Sequence, residues 1–234
     1  MKKNIYKLNN NIYLKEKKKV KEYFKKIYLL IKKNNKNKKI SIVDVGCASG
    51  DFLSFLKSRI KIDESFGIDY SKLLIKKGKR KSDFKFINKD ISKNFDISKK
   101  FDFVTCLGTL SIFDDITTPL NNIFRLSKKG GFIFIFDIVN DHDVNVLMRY
   151  QNRKVNEKKW YSAFNYISKK DYIKKIKKIN PKSKIKLLPF NININIKKTN
   201  NPMVAWTTKI NNKTKIIVGT NQILNFNIIS IKNL

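Results

Sequence analysis

Apolar residues in this chain cluster into short, nearly continuous runs of strand length, separated by stretches rich in lysine and asparagine. The first is Ser41-Ile42-Val43-Asp44-Val45, and four more follow in order at residues 66–71, 84–91, 101–108 and 130–137. Continuous rather than alternating runs are what parallel strands require when helices cover both faces of their sheet. After the first run, Gly46-Cys47-Ala48-Ser49-Gly50 and the apolar-periodic segment from Asp51 to Arg59 read as a tight turn and a helix. A helical period also marks residues 14–32, where Val20, Phe24, Ile27 and Ile31 share one face with lysines opposite, until Asn34-Asn35-Lys36-Asn37 breaks it. That face most simply packs on the sheet; lying on a membrane surface is the alternative. Ser168-Lys169-Lys170-Asp171 caps a further helix reaching about Ile179 and ended by Asn180-Pro181. Strand-like runs at 185–196, 203–210, 213–218 and 223–231 close the chain, with Asn211-Asn212 as a hairpin turn.

The first turn has the chemistry of a nucleotide site. Gly46 and Gly50 carry no Cβ, so the backbone can turn sharply and approach a ligand. The helix behind them directs free amides into the same space. A sharp turn with no ligand is the alternative, so the other strand ends have to decide. Asp69 ends the second run, one strand-helix unit later, where a carboxylate can accept both hydroxyls of a ribose. Asp90 stands just past the third, within reach of an adenine amino group.

Taken together, D-V-G-C-A-S-G, G-I-D-Y-S, K-D-I, F-D-F-V-T-C-L-G and K-K-G-G-F-I-F-I-F-D resemble the class I S-adenosylmethionine-dependent methyltransferases over residues 40–137. The resemblance implies an α/β, Rossmann-like fold: a mainly parallel seven-stranded sheet, helices on both faces, and extra antiparallel C-terminal strands. It implies S-adenosylmethionine as cofactor, its methionine part at Asp44, Gly46 and Gly50, its ribose at Asp69 and its adenine at Asp90 and Ile91. Cys47, Ala48, Tyr70, Cys106 and Leu107 complete the expected cofactor rim. A Rossmann dehydrogenase would need G-x-G-x-x-G, which Ala48 and Ser49 do not fit. On this basis residues 1–39 form a helical extension or lid, 40–137 the cofactor core, 138–168 an acceptor-side cap, and 169–234 the completion of the same domain.

Composition changes the picture only slightly. The 234 residues suffice for one α/β domain, and 41% hydrophobic content excludes global disorder. A formal charge of +34 predicts attraction to nucleic acid or other anionic partners. The excess is almost all lysine, however, spread along the chain with abundant Asn and Ile, which points to compositional bias. Cys47 and Cys106 read as small buried residues rather than a disulfide, and no spacing suggests a metal site. With no secretory leader and no apolar stretch long enough for a membrane span, the expected location is the cytoplasm.

Acceptor chemistry belongs beyond the carboxyl ends of the fourth and fifth strands. The loop holding Asp114 lacks the Asn/Asp-Pro-Pro-Tyr/Phe tetrad of related enzymes that methylate planar amines. The lysine, aspartate, lysine, glutamate set of ribose methyltransferases is not evident either. After the fifth strand come Asn140 and His142, the only histidine, set between Asp141 and Asp143. An imidazole there is a candidate general base, or an ordinary loop residue. Arg149, Arg153 and Tyr161 lie in an arginine- and aromatic-rich segment that suits an anionic or sugar-like small molecule, or a plain cap over the sheet edge. In related enzymes a leader often folds over the pocket, which makes Tyr6 and Tyr13 candidate lid residues. Pro202 to Thr208 resembles small-molecule methyltransferases of bacterial surface-carbohydrate gene sets. The expected reaction is O-methylation of a sugar or sugar nucleotide. An RNA methyltransferase with a lysine-lined surface and a non-catalytic cofactor-binding protein are the alternatives.

Overall fold

A computed structural model describes residues 20–36, 39–153, 156–201 and 203–234. Helix α1 (Glu22–Asn34) precedes β1 (Ile40–Val45), α2 (Asp51–Lys57), β2 (Ile62–Asp69), α3 (Lys72–Lys81), β3 (Lys85–Asn88) and β4 (Phe101–Leu107). A short 3-10 turn (Leu110–Ile112), α4 (Thr117–Arg125), β5 (Ser127–Asn140), β6 (Arg149–Asn152), β7 (Asn156–Ser162), β8 (Ile167–Ser168) and α5 (Lys169–Ile179) follow. Strands β9 (Lys184–Pro189), β10 (Trp206–Ile210), β11 (Lys213–Ile217) and β12 (Phe226–Lys232) end the chain.

Seven strands run in the order β3-β2-β1-β4-β5-β12-β9, and β8 adds an eighth by a short parallel pairing with β5. Along that path only β12 is reversed, antiparallel to both β5 and β9. The expected architecture is therefore present, with the antiparallel strand inserted between two parallel ones. The continuous apolar runs are explained by alternation between two cores. Ile40, Ile42, Phe103, Phe134 and Phe136 pack on one face with Phe24, Ile27 and Ile31 of α1 and Phe52 and Phe55 of α2. Val43, Val45, Val104, Ile133 and Ile135 pack on the other with Leu120 and Ile123 of α4 and Tyr172 and Ile176 of α5. Both faces are dry, so both residue parities must be apolar.

Several expected boundaries move. Val20 lies before α1 and is 43% exposed, so only Phe24, Ile27 and Ile31 of its predicted face are buried. The fifth strand does not stop at Asp137 but continues to Asn140, because β12 and β8 supply backbone partners as far as the end. The run 185–196 forms a strand only to Pro189, and 203–210 only from Trp206. The 138–168 segment, expected as an acceptor-side cap, contains the β6–β7 hairpin. Asn211 and Asn212 do form the β10–β11 turn, with φ of 47° and 60°, the left-handed values such a tight turn requires. This hairpin is a separate two-stranded sheet.

Candidate cofactor and acceptor site

The carboxyl ends of β1, β2, β3 and β4 lie side by side: Asp44 pairs with Thr105, Val45 with Cys106, and Asp69 with Asn88. Gly46 (φ 74°) and Gly50 (φ 82°) turn the chain from β1 into α2 in the left-handed region. Ala48, between them, is also left-handed at φ 51°. The Gly46 and Cys47 amides donate to the Ile68 carbonyl at 2.8 and 3.1 Å, tying the turn to the end of β2. A Cβ on Gly46 would fall on the Thr109 hydroxyl, so the loop after β4 sits directly against the turn. At Gly50 a Cβ would meet the Phe86 ring at 2.9 Å.

Two carboxylates define the electrostatics. Asp69 accepts the Ala48 amide at 2.9 Å on one oxygen and the Ser71 amide at 2.8 Å on the other. Burial nevertheless outweighs these two donors and raises its pKa. A carboxylate has about four lone-pair sites, so the two amides fix its plane and leave acceptor capacity for a diol. Asp44 is 3% exposed and receives the Thr105 hydroxyl at 2.6 Å. Burial pushes its pKa up to about 7, against the opposing effects of the Thr105 hydrogen bond and the positive charge of Lys21. Burial likewise raises the thiols of Cys47 and Cys106, both unpaired, so they are packing groups and not thiolates.

The remaining predicted cofactor residues sit on the same rim. Tyr70 is 39% exposed beside Asp69, and the Asn88 amide donates to the carbonyls of both. Asp90 accepts the amide and hydroxyl of Ser92, a local turn that orients the β3 end. Ile91 is buried, and Asn122 of α4 holds its carbonyl at 2.9 Å. Leu107 is half-buried at the end of β4, next to Gly108, where no atom lies within 4 Å of a would-be Cβ. Carboxyl groups at the strand ends, with open space beside Gly108, could hold the ribose hydroxyls, adenine amine and cationic amino-acid tail of a nucleoside cofactor.

The acceptor candidates are arranged differently. Arg149 is ion-paired with Asp114, not held ready as an anion holder. Asn165 joins the same group: its side chain donates to the Phe113 carbonyl at 2.9 Å and to Asp114 at 3.2 Å, and accepts the Met148 amide at 2.8 Å. The β6–β7 hairpin is thereby docked on the loop after β4. Tyr161 stacks on Tyr150 with ring centroids 5.5 Å apart. Arg153 is exposed at the hairpin turn. Asn140 accepts the His142 amide and donates to the Val144 carbonyl, which places His142 in an exposed turn just past β5. Its neighbour Asp143 pairs with Lys170 at 3.1 Å. Tyr6 and Tyr13 lie outside the described residues.

Five positions that shape these strand ends escape a reading of the sequence. Thr105 and Thr109 look like ordinary strand and loop residues, and Lys21 is one lysine among many. Asp137 was read only as a strand end. It is fully buried and accepts the amides of Leu110, Ser111 and Ile138, anchoring the 3-10 turn. Asn165 is one of many asparagines until the fold brings it to Asp114. Two carried a usable signal: Thr105 is a polar residue flanked by apolar ones in the fourth run, and Asp137 is an acidic strand end like Asp44 and Asp69.

The class that this fold and these strand ends define is the S-adenosylmethionine-dependent methyltransferase, with S-adenosylmethionine as the cofactor. A family model described as a methyltransferase domain matches residues 36–185, well over half of the chain, and the chain belongs to that family. Protein 235L of Invertebrate iridescent virus 6, which carries a methyltransferase name, is 26% identical over 139 residues, 56% of this chain and 51% of the relative. The chain thus spans about half the length of that curated relative. Among solved structures, an S-adenosylmethionine-dependent methyltransferase from Clostridium acetobutylicum superposes with a TM-score of 0.58 at 14% identity, covering 91% of this chain and 92% of the other. Magnesium protoporphyrin IX methyltransferase from Synechocystis, solved with bound cofactor, gives 0.55 at 11% identity, covering 91% and 79%. At these identities the likeness is one of fold. Among the described residues no helix is long and apolar enough to cross a membrane.

Proposed function

We propose that this protein methylates an oxygen of a small molecule, with a sugar or sugar nucleotide as the favoured acceptor class. S-adenosylmethionine supplies a methyl group on a sulfonium, an excellent leaving group, so the chain's own task is chiefly to bind and align. Asp69 and the Asp90–Ile91 segment bind the nucleoside end, and Asp44 with the Gly46–Gly50 turn binds the amino-acid end. Thr109 lies where the glycine turn meets the acceptor side.

The observation that carries the acceptor reading is the docked β6–β7 hairpin, with its stacked pair Tyr150 and Tyr161 held beside the loop after β4 by Asn165 and the Arg149–Asp114 pair. Paired aromatic faces suit a sugar ring. Arg149, already neutralised by Asp114, orients the cap, which leaves Arg153 as the exposed cation for an anionic acceptor. On this reading His142, at the β5 end, takes the proton from the acceptor hydroxyl. The second reading, RNA as acceptor, is favoured by the charge of +34.

Calorimetric binding of S-adenosylhomocysteine, repeated with pooled sugar nucleotides and with generic RNA, separates the two. Tighter binding with sugar nucleotides and indifference to RNA supports the small-molecule reading. A salt-sensitive tightening with RNA moves the acceptor to nucleic acid.

A further inference from the structure

Beneath the glycine turn lies a buried pair that neither strand reveals alone. Asp44 and Thr105 are register partners in β1 and β4, and alternation puts both on the face covered by α1 and α2. Thr105 has no exposed surface. Its hydroxyl donates to Asp44 Oδ1 at 2.6 Å, with the Val43 carbonyl a poorer acceptor at 3.4 Å. A hydroxyl that donates to a carboxylate favours the ionised form and fixes its plane. Charged and titratable groups facing Asp44 are Lys21, just before α1, Asp69 at the end of β2, Asp51 in the first turn of α2, and the thiols of Cys47 and Cys106. Lys21 favours the carboxylate, while burial and the two other acids oppose it.

We propose that Thr105 is a positioning residue for the cofactor: it holds Asp44 as an oriented carboxylate for the ammonium of the cofactor's amino-acid end. Where Asp44 is protonated before the cofactor arrives, binding releases that proton to solvent. The inference rests on the cofactor reading above. No bond other than the carboxyl O–H is broken, and the ammonium keeps all of its protons.

The test is calorimetry of S-adenosylhomocysteine with the full chain between pH 5.5 and 8.5, in buffers of different ionisation enthalpy. The wild type should release a measurable fraction of a proton at pH 7, and its affinity should fall about tenfold per unit on the acid side of its midpoint. Thr105→Val removes the donor at nearly constant volume. It should move that midpoint up by about one pH unit and weaken binding at pH 7 roughly fivefold to tenfold. Thr105→Ser should restore both. A merely structural threonine would change thermal stability and leave the midpoint where it was. Thr105→Val with the wild-type midpoint, or a wild type that binds without releasing a proton, overturns the inference. The proton count needs no variant, so a wild type that releases none overturns the inference even if Thr105→Val does not fold, and Thr105→Ser with a shifted midpoint does so as well. A wild type that binds no S-adenosylhomocysteine at any pH overturns the cofactor reading itself, and this inference with it.

Discussion

The cofactor rim and the acceptor cap occupy neighbouring parts of the strand ends but are held in place by different means. At the rim, the turns are fixed by the ends of the parallel strands: Gly46 and Cys47 after β1 bond to Ile68 of the neighbouring β2, Ala48 and Ser71 to Asp69, and Ser92 to Asp90 within its own turn. At the cap, the docking contacts are side chains that reach between segments not paired as strands: Asn165 to Phe113 and Asp114, Arg149 to Asp114, and Asp137 to the Leu110–Ser111 amides. Local turns on a parallel sheet make a rim that cannot change without disturbing the sheet. A hairpin docked by a few polar side chains can be rebuilt without touching the cofactor. Loops held by a rigid sheet tolerate such variation.

The sharpest way to break the rim is Gly46→Ala. Its φ of 74° and the collision with Thr109 combine backbone strain with a steric clash. Binding of S-adenosylhomocysteine should be abolished and stability reduced by about 2 kcal/mol or more, read by calorimetry and thermal unfolding. Asp69→Ala comes next. It leaves the buried amide of Ser71 and the half-buried amide of Ala48 without an acceptor, roughly 1–3 kcal/mol for the first and less for the second, and should weaken binding at least about 100-fold. Affinity within a few fold of wild type would remove Asp69 from the ribose site.

Asp44→Asn probes the same rim through pH. The pKa of Asp44 is higher in the folded chain, about 7, than the ordinary 3.8, so the native state binds the proton more tightly. Its carboxyl group therefore lowers stability progressively as pH rises from about 4 to 7. Asn keeps an acceptor for the Thr105 hydroxyl and carries no charge. Without cofactor, the variant should be more stable than wild type at pH 8, by on the order of a few kcal/mol, and the gap should close below pH 4. A gap independent of pH would contradict the burial argument.

The cap should respond in the opposite manner. Asn165→Ala should cost about 2 kcal/mol and speed amide exchange around Phe113 and Met148, while affinity for S-adenosylhomocysteine stays within about twofold. Equal damage to cofactor affinity would erase the distinction between the two regions. The smallest effect belongs to Arg149→Ala. Its ion pair with Asp114 is about 30% exposed on each side and should contribute no more than about 1 kcal/mol, measured by denaturant unfolding.

The legibility of the chain follows the same division. Strands β1, β4 and the core of β5 were readable because burial on both faces demands unbroken apolar runs. Helix α3 was not, since Lys72–Lys81 buries only Leu74, Ile75 and Gly78 and is otherwise polar. The exposure of Val20 and the early end of β9 at Pro189 also lay beyond the sequence, because a periodic or apolar run shows where an element can form and not where its partners stop.

By itself, then, the chain determined the series of parallel strands, the glycine turn and the acidic strand ends, because each depends on residues within a few positions of one another. The tertiary structure alone decided that β12 runs backwards between β5 and β9, that Thr105 meets Asp44, and that Asn165 and Arg149 converge on Asp114. Those contacts join segments dozens of residues apart. Local pattern cannot specify them, since strand pairing and side-chain docking depend on which surfaces the whole fold brings together.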